Sequence, residues 1–180
     1  MSKRAHKIIL VLGGARSGKS TYAQQTASSL GRKVLYCATA EPLDADMKKR
    51  IQLHRKIRPK SWQTLEAIHA PAAALASIVQ NYDAVIIDCI TVLVANLVGK
   101  TGSITKREQN AYREIRDLIR LMQKRESTYI LVSNEVGLGI VPPYRLGRDY
   151  RDILGKVNQL LAAIADEVYF MMAGIPARVK

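Results

Sequence analysis

Gly13-Gly14-Ala15-Arg16-Ser17-Gly18-Lys19-Ser20 is the stretch on which the reading of this chain turns. It fits the pattern GxxxxGK[ST], and its surroundings are the ones that pattern needs. Before it lies Lys7 to Leu12, a β-branched and aliphatic run that reads as a strand entering a turn. After it, Ser17 to Leu30 reads as a helix closed by Gly31, a favoured residue just past a helix end. Glycines let backbone N–H groups turn inward around a phosphate, and the helix start adds its positive end. In such a loop the lysine, here Lys19, reaches the β and γ phosphates, and the hydroxyl of Ser20 serves Mg²⁺.

Outward from the loop, strands and helices alternate. Lys33 to Cys37 is a second apolar run, and Asp44 caps a helix to about Ile57, stopped by Pro59. A strand over Trp62 to Ile68 and a helix over Ala72 to Gln80 follow. Ala84 to Asp88 has four apolar residues and an acid, the pattern of a fully buried strand. Thr91 to Val98 reads as helix, Gly99 to Lys106 as loop, and Arg107 to Arg125 as a long helix with apolar residues at helical spacing. Tyr129 to Val132 is a buried strand, and 137–147, with its glycines and prolines, is irregular. Arg148 to Ala165 is helical, and Glu167 to Met172 is a last strand before a short tail. This alternation predicts an α/β fold with a mostly parallel central sheet flanked by helices.

Composition sets the outer bounds. A chain of 180 residues suits one domain, 1–180, and its 48% hydrophobic and 24% charged content is that of a globular protein. No apolar run approaches the roughly 18 residues of a membrane helix. The apolar segment after the basic start, Ile8 to Leu12, is too short for a signal core, so a cytoplasmic protein is expected. Cys37 and Cys89 lie far from any CxxC spacing, which argues against a disulfide framework or a structural zinc. The net charge of +13 attracts anions, whether nucleotide, nucleic acid or acidic membrane, or else describes a solvated basic surface. Arg113, Arg116, Arg120 and Lys124 form a stripe on the long helix that reads as a solvated face.

Three further segments carry chemistry. Asp88, at the end of a buried strand, suits a Mg²⁺ carboxylate and equally a helix cap. Lys48 to Lys60 holds seven Lys/Arg in thirteen residues, with His54 among them. On a helix Met47, Ile51 and His54 share one face. Spacing alone describes a half-buried histidine on a basic amphipathic helix; the sharper reading is a nucleophile whose nitrogen attacks phosphorus, among cations that hold nucleotide phosphates. Finally, Asn134 and Glu135 directly follow a buried strand, and in a parallel sheet ligands bind beyond the carboxyl ends of strands.

Taken together, GGARSGKS, the Arg50-Ile51-Gln52…His54 to Pro59 stretch with Trp62, the Ile86 to Thr91 block, Ser133 to Pro142, and Arg151 to Gln159 resemble one family closely. It is the bifunctional adenosylcobinamide kinase / adenosylcobinamide-phosphate guanylyltransferase family of cobalamin biosynthesis, and the likeness runs from about Ile8 to the C-terminus. The resemblance implies a RecA-like P-loop NTPase fold and a homotrimer. It also implies two reactions, with ATP or GTP and Mg²⁺. A nucleoside triphosphate phosphorylates adenosylcobinamide; GTP then guanylylates a histidine, and the GMP passes to adenosylcobinamide phosphate. That histidine falls on His54. The family's nucleotide contacts fall on Gly13, Gly14, Ala15, Arg16, Ser17, Gly18, Lys19 and Ser20, on Ala38, Thr39 and Ala40, on Arg55, Lys56, Ile57 and Arg58, and on Glu66 and Asp88. Two positions depart from relatives: Leu53 stands where many carry a second histidine, and Asp88 where some carry glutamate. The resemblance leaves the +13 charge unexplained. Two rival readings are a protein that keeps one of the two activities, and a nucleic-acid-binding RecA-like ATPase. The second gives His54 no role, and 6% aromatic residues supply few stacking platforms, so no nucleic-acid partner is expected.

Overall fold

The computed structural model describes residues 6–42, 44–99 and 103–180. Seven strands form one sheet in the order β3-β2-β4-β5-β1-β6-β7. They are β1 (Ile8–Gly13), β2 (Val34–Ala38), β3 (Gln63–Glu66), β4 (Ala84–Asp88), β5 (Thr128–Val132), β6 (Glu167–Met172) and β7 (Ile175–Arg178). Every pairing is parallel except β6 with β7. The helices are α1 (Lys19–Leu30), α2 (Ala45–Ile57), α3 (Pro71–Ala76), α4 (Ile90–Val98), α5 (Ile104–Lys124) and α6 (Arg145–Ile164). This is the expected α/β fold, a P-loop, RecA-like sheet flanked by helices.

Strand alternation divides the core between two faces. On one, Leu10, Leu35, Val85, Ile87 and Leu131 pack against α4, α5 and α6. On the other, Ile9, Val11, Tyr36, Ile86 and Ile130 meet the small Ala23 and Ala27 of α1. The four central strands are buried on both faces, which is why their sequences are unbroken apolar runs. Each fully buried leucine or isoleucine contributes about 1.5–3 kcal/mol.

Several boundaries differ from the sequence reading. α5 begins three residues earlier than expected, because the Ser103 side chain accepts the Lys106 N–H at 3.3 Å and caps the extra turn. Residues 100–102 of the expected loop lie outside the described residues. α3 stops at Ala76, four residues short of Gln80. The C-terminal tail is not loose. Ala173 and Gly174 both take positive φ, 49° and 86°, and fold the chain back as β7. That is the backbone a tight two-residue hairpin needs.

Cys37 is buried and Cys89 half-buried, and burial pushes both thiols up to about 12. Both are free, as the sequence suggested. No described helix is long and apolar enough to cross a membrane. Arg113, Arg116, Arg120 and Lys124 are all exposed on α5.

Candidate active site

The site lies along the carboxyl edge of β2, β4, β5 and β1, where parallel sheets hold their ligands. The sheet order makes this edge continuous. Ala38 pairs with Asp88, Asp88 with Val132, and Val132 with Val11 just before the glycine loop. Neighbouring strands are about 4.8 Å apart, so Asp88 and the end of β1 are separated by roughly 10 Å with β5 between them.

The loop after β1 depends on its glycines. Gly13 has φ 146°, and a Cβ there would stand 2.7 Å from the Met171 carbonyl. Gly18 has φ 93° and is the residue preceding α1. Arg16 also takes positive φ, 57°. Lys19 is buried, and its Nζ donates to the Gly14 carbonyl at 2.6 Å. Burial holds its ammonium below the ordinary lysine value, only partly offset by the charges near it. Among the described residues no carboxylate lies within ion-pair distance of Lys19, and an anionic phosphate in the loop would favour its charged form. Ser20, on the first turn of α1, is half-buried.

Asp88 ends β4. The sequence allowed it to be a helix cap, but the cap of α4 is Cys89, whose Sγ accepts the Val92 N–H at 3.4 Å. The Asp88 carboxylate instead accepts the Tyr36 hydroxyl on Oδ2 at 2.6 Å. Burial, then the Asp88 charge, pushes the Tyr36 phenol far up, so the phenol stays a donor. The Asp88–Cys89 peptide is cis.

Thr39 has every polar group engaged. Its N–H donates to the Asp88 carbonyl at 3.2 Å, its hydroxyl bridges Cys89 N and O at 2.8 Å each, and its carbonyl accepts from Asn96 at 2.9 Å. It therefore braces the turn after β4. Ala38 and Ala40 beside it offer only methyls and main chain.

α2 is capped by Asp44, whose Oδ1 accepts the Met47 N–H at 2.7 Å, and ends before Pro59, both as the sequence indicated. His54 is half-buried and forms no hydrogen bond or ion pair with any described residue. Arg55 pairs with Glu66 at the end of β3. The Arg58 Cζ lies over the Tyr36 ring, 3.5 Å from its centroid, and its Nη1 reaches Thr64 Oγ1 at 3.3 Å. Lys56 is exposed. The side chains of Arg50 and Ile57 lie outside those described. An open depression beside α2 is walled by Arg55, Arg58, Lys60, Trp62, Thr64 and Glu66.

The segment after β5 is tied to the same edge. Glu135 N–H donates to the Gly13 carbonyl at 3.0 Å. Thr91, Ser133 and Asn158 form a buried chain of bonds, and Asn158 Nδ2 also holds the Asn134 carbonyl at 3.1 Å.

A family model for cobinamide kinase / cobinamide phosphate guanyltransferase matches residues 9–179. The chain belongs to this family. Its relatives include the bifunctional adenosylcobalamin biosynthesis protein CobU of Salmonella typhimurium, 42% identical over 96% of this chain and 99% of that protein. CobU of Escherichia coli is 40% identical over the same shares. The bifunctional adenosylcobalamin biosynthesis protein CobP of Pseudomonas aeruginosa is 39% identical over 95% of this chain and 96% of its own.

Two parts of this candidate site escape a reading of motifs. The Tyr36–Asp88 bond joins residues 52 apart and has no local signal. The hairpin at Ala173-Gly174 leans on the glycine loop, with Gly174 N–H donating to the Ser17 carbonyl at 3.1 Å. Its signal is a glycine between two short apolar runs.

Proposed function

We propose that this chain catalyses two successive reactions at the edge described above. In the first, the aminopropanol hydroxyl of adenosylcobinamide attacks the γ-phosphorus of ATP or GTP; the bond to the nucleoside diphosphate breaks and the hydroxyl proton is lost. In the second, a ring nitrogen of His54 attacks the α-phosphorus of GTP and pyrophosphate leaves. A phosphate oxygen of adenosylcobinamide phosphate then attacks the same phosphorus, and the N–P bond breaks. The products are adenosylcobinamide-GDP and free His54. Covalent catalysis of this kind replaces one hard displacement with two easier ones.

The residues take roles that fit their surroundings. Backbone N–H groups from Gly13 to Ser20 cradle phosphate. Lys19 neutralises charge on the β and γ phosphates, which its burial, only partly offset by the charges near it, favours. Arg55, Lys56 and Arg58 hold nucleotide beside His54, and Ala38, Thr39, Ala40, Ile57 and Glu66 line its path. Mg²⁺ fits the donor set. Among the described residues there is no cluster of three or more acidic, histidine or cysteine side chains. Ser20 and Asp88 supply one hydroxyl and one carboxylate, the sparse set Mg²⁺ takes when substrate phosphates and water complete its shell. Bound there, it would neutralise charge on the departing phosphates. We further propose a homotrimer in the cytoplasm.

The observation that carries the covalent step is the state of His54. Its ring is unengaged by any described residue, on a helix whose flanking arginines are seated on β2 and β3. The test is labelling with Mg²⁺ and α-³²P-GTP, using the wild-type protein and His54→Ala. An acid-labile, alkali-stable label, absent from the variant, supports the guanylyl-histidine. No label alongside intact corrinoid phosphorylation overturns it and leaves a kinase alone. Sedimentation of the pure protein decides the trimer.

A further inference from the structure

The Tyr36 side chain meets two different parts of the site, Asp88 and Arg58. Tyr36 is 2% exposed, on a strand one place in from the sheet edge. A buried tyrosine needs a partner for its hydroxyl. Here the partner is a carboxylate oxygen of Asp88, at 2.6 Å. A bond this short from a neutral donor to a carboxylate is of the charge-assisted kind and fixes the rotamer of the acid. The face of the same ring is covered by the Arg58 guanidinium, 3.5 Å from the centroid. Arg58 is the residue that ends α2, one turn beyond His54. Its Nε is buried with no hydrogen-bond partner among the described residues; its head is held by the Tyr36 ring, by Thr64 and by an interaction with the Tyr36 hydroxyl. A cation over an aromatic face is attracted by the ring's quadrupole.

We propose that Tyr36 is a positioning residue of both reactions. Its hydroxyl sets the Asp88 carboxylate at the phosphate end of the site, and its ring seats Arg58 and with it the C-terminal turn of the His54 helix. The inference rests on the roles given above to Asp88 and His54. It adds that one side chain, absent from the nucleotide-binding motifs, joins the two.

Substitutions separate the two functions of the residue. Tyr36→Phe keeps the ring and removes the bond to Asp88. Tyr36→Leu removes the aromatic face as well, and Arg58→Ala removes the cation while leaving the core untouched. Two measurements are made on each protein. One is the affinity for a fluorescent GTP analogue with and without Mg²⁺. The other is amide hydrogen exchange over 45–57 in the protein free of nucleotide.

With Tyr36→Phe, the gain in affinity that Mg²⁺ confers falls about tenfold, the worth of one bond to a charged group. Metal-free affinity and exchange of α2 stay at wild-type levels. With Tyr36→Leu and with Arg58→Ala, exchange over 45–57 quickens about fivefold while β4 and β5 are unchanged. A core tyrosine with no positioning role predicts the opposite pattern: a lower melting temperature for Tyr36→Phe with the Mg²⁺ gain intact. That pattern overturns the proposal, as does wild-type exchange of α2 in both Tyr36→Leu and Arg58→Ala. If Tyr36→Leu fails to fold, Arg58→Ala decides the second arm. A wild-type protein that binds no GTP analogue overturns the activity reading, and the exchange arm still decides whether Tyr36 seats the helix.

Discussion

A Cβ on Gly18 would stand 3.2 Å from the Gly174 Cα, so the glycine loop and the β6–β7 turn are in direct backbone contact. The contact is tied by the Gly174 N–H on the Ser17 carbonyl. Gly18→Ala therefore meets two penalties: a left-handed φ of 93° and a neighbour that is main chain and cannot rotate away. We expect the variant to lose about 1–3 kcal/mol of stability. Nucleotide affinity should fall at least about tenfold, because the loop N–H groups move with the strain. Thermal melts and GTP titrations check both. A Gly18→Ala protein that binds GTP normally would show that the turn is a passive neighbour.

Lys19 gives a prediction with opposite signs for stability and binding. Its charge is disfavoured by burial, and the neighbouring Cys89 and Asp88 offset only part of that cost. Lys19→Met keeps the length of the chain and removes the buried charge. The melting temperature of the free protein should hold or rise. Phosphorylation of adenosylcobinamide should fall by about 10²–10³ in kcat, the range for removal of one preorganised donor. A drop in both quantities would mean that Lys19 supports the fold as well as the phosphates.

The loop Gly13 to Ser20 was legible because eight consecutive residues carry both its shape and its chemistry. The buried strands were legible for a similar reason: Ala84 to Asp88 and Tyr129 to Val132 must be apolar on both faces. Asp44 and Pro59 marked the ends of α2 from within the chain. What was not legible depends on distant partners. Nothing near Tyr36 announces Asp88, and nothing near Thr39 announces that its hydroxyl will close on Cys89. The β7 strand was missed because Ile175 to Arg178 is short, contains a proline and pairs only at the sheet edge. The seat of His54 was open from spacing alone, since a histidine on a basic helix looks the same whether its ring is engaged or free.

Glu167 gives a prediction in pH. Its carboxylate accepts from Lys7 Nζ at 2.7 Å and from the Tyr169 hydroxyl at 2.9 Å. These bonds, led by Lys7, hold its pKa below the ordinary glutamate value. The unfolded chain then binds a proton more readily than the folded one, so stability rises with pH across this window. The contribution is fully present above the unfolded value of about 4.3 and is lost as pH falls through the depressed folded value. Glu167→Gln should lower the melting temperature at pH 7 by about 2–4 °C, equivalent to about 1 kcal/mol in a chain of this size. The gap to wild type should close on acidification below about pH 4. A gap that is constant with pH would assign the effect to packing instead.

The last prediction concerns the chain of bonds behind the segment after β5. Asn158 is 4% exposed; its Oδ1 accepts the Ser133 hydroxyl at 2.7 Å and its Nδ2 donates to the Asn134 carbonyl. Thr91 continues the chain, donating toward or accepting from Ser133 at 3.4 Å and accepting the Asn134 N–H at 2.6 Å. Every member is therefore satisfied by another, and each comes from a different element: α4, the end of β5 and α6. Asn158→Leu keeps the branched outline but removes the Ser133 hydroxyl's shorter bond, leaving it only Thr91 at 3.4 Å, and takes the side-chain partner from the half-buried Asn134 carbonyl. A buried polar group that loses its partner costs about 1–3 kcal/mol, so the variant should lose more stability than an ordinary surface change. The loop from Asn134 to Gly137 is anchored to Gly13 on one side and to this network on the other. Loosening one anchor should raise the KM for nucleotide with little change in kcat, because the glycine loop and Lys19 stay in place. A stable Asn158→Leu protein with unchanged KM would show that the loop is held by its own backbone.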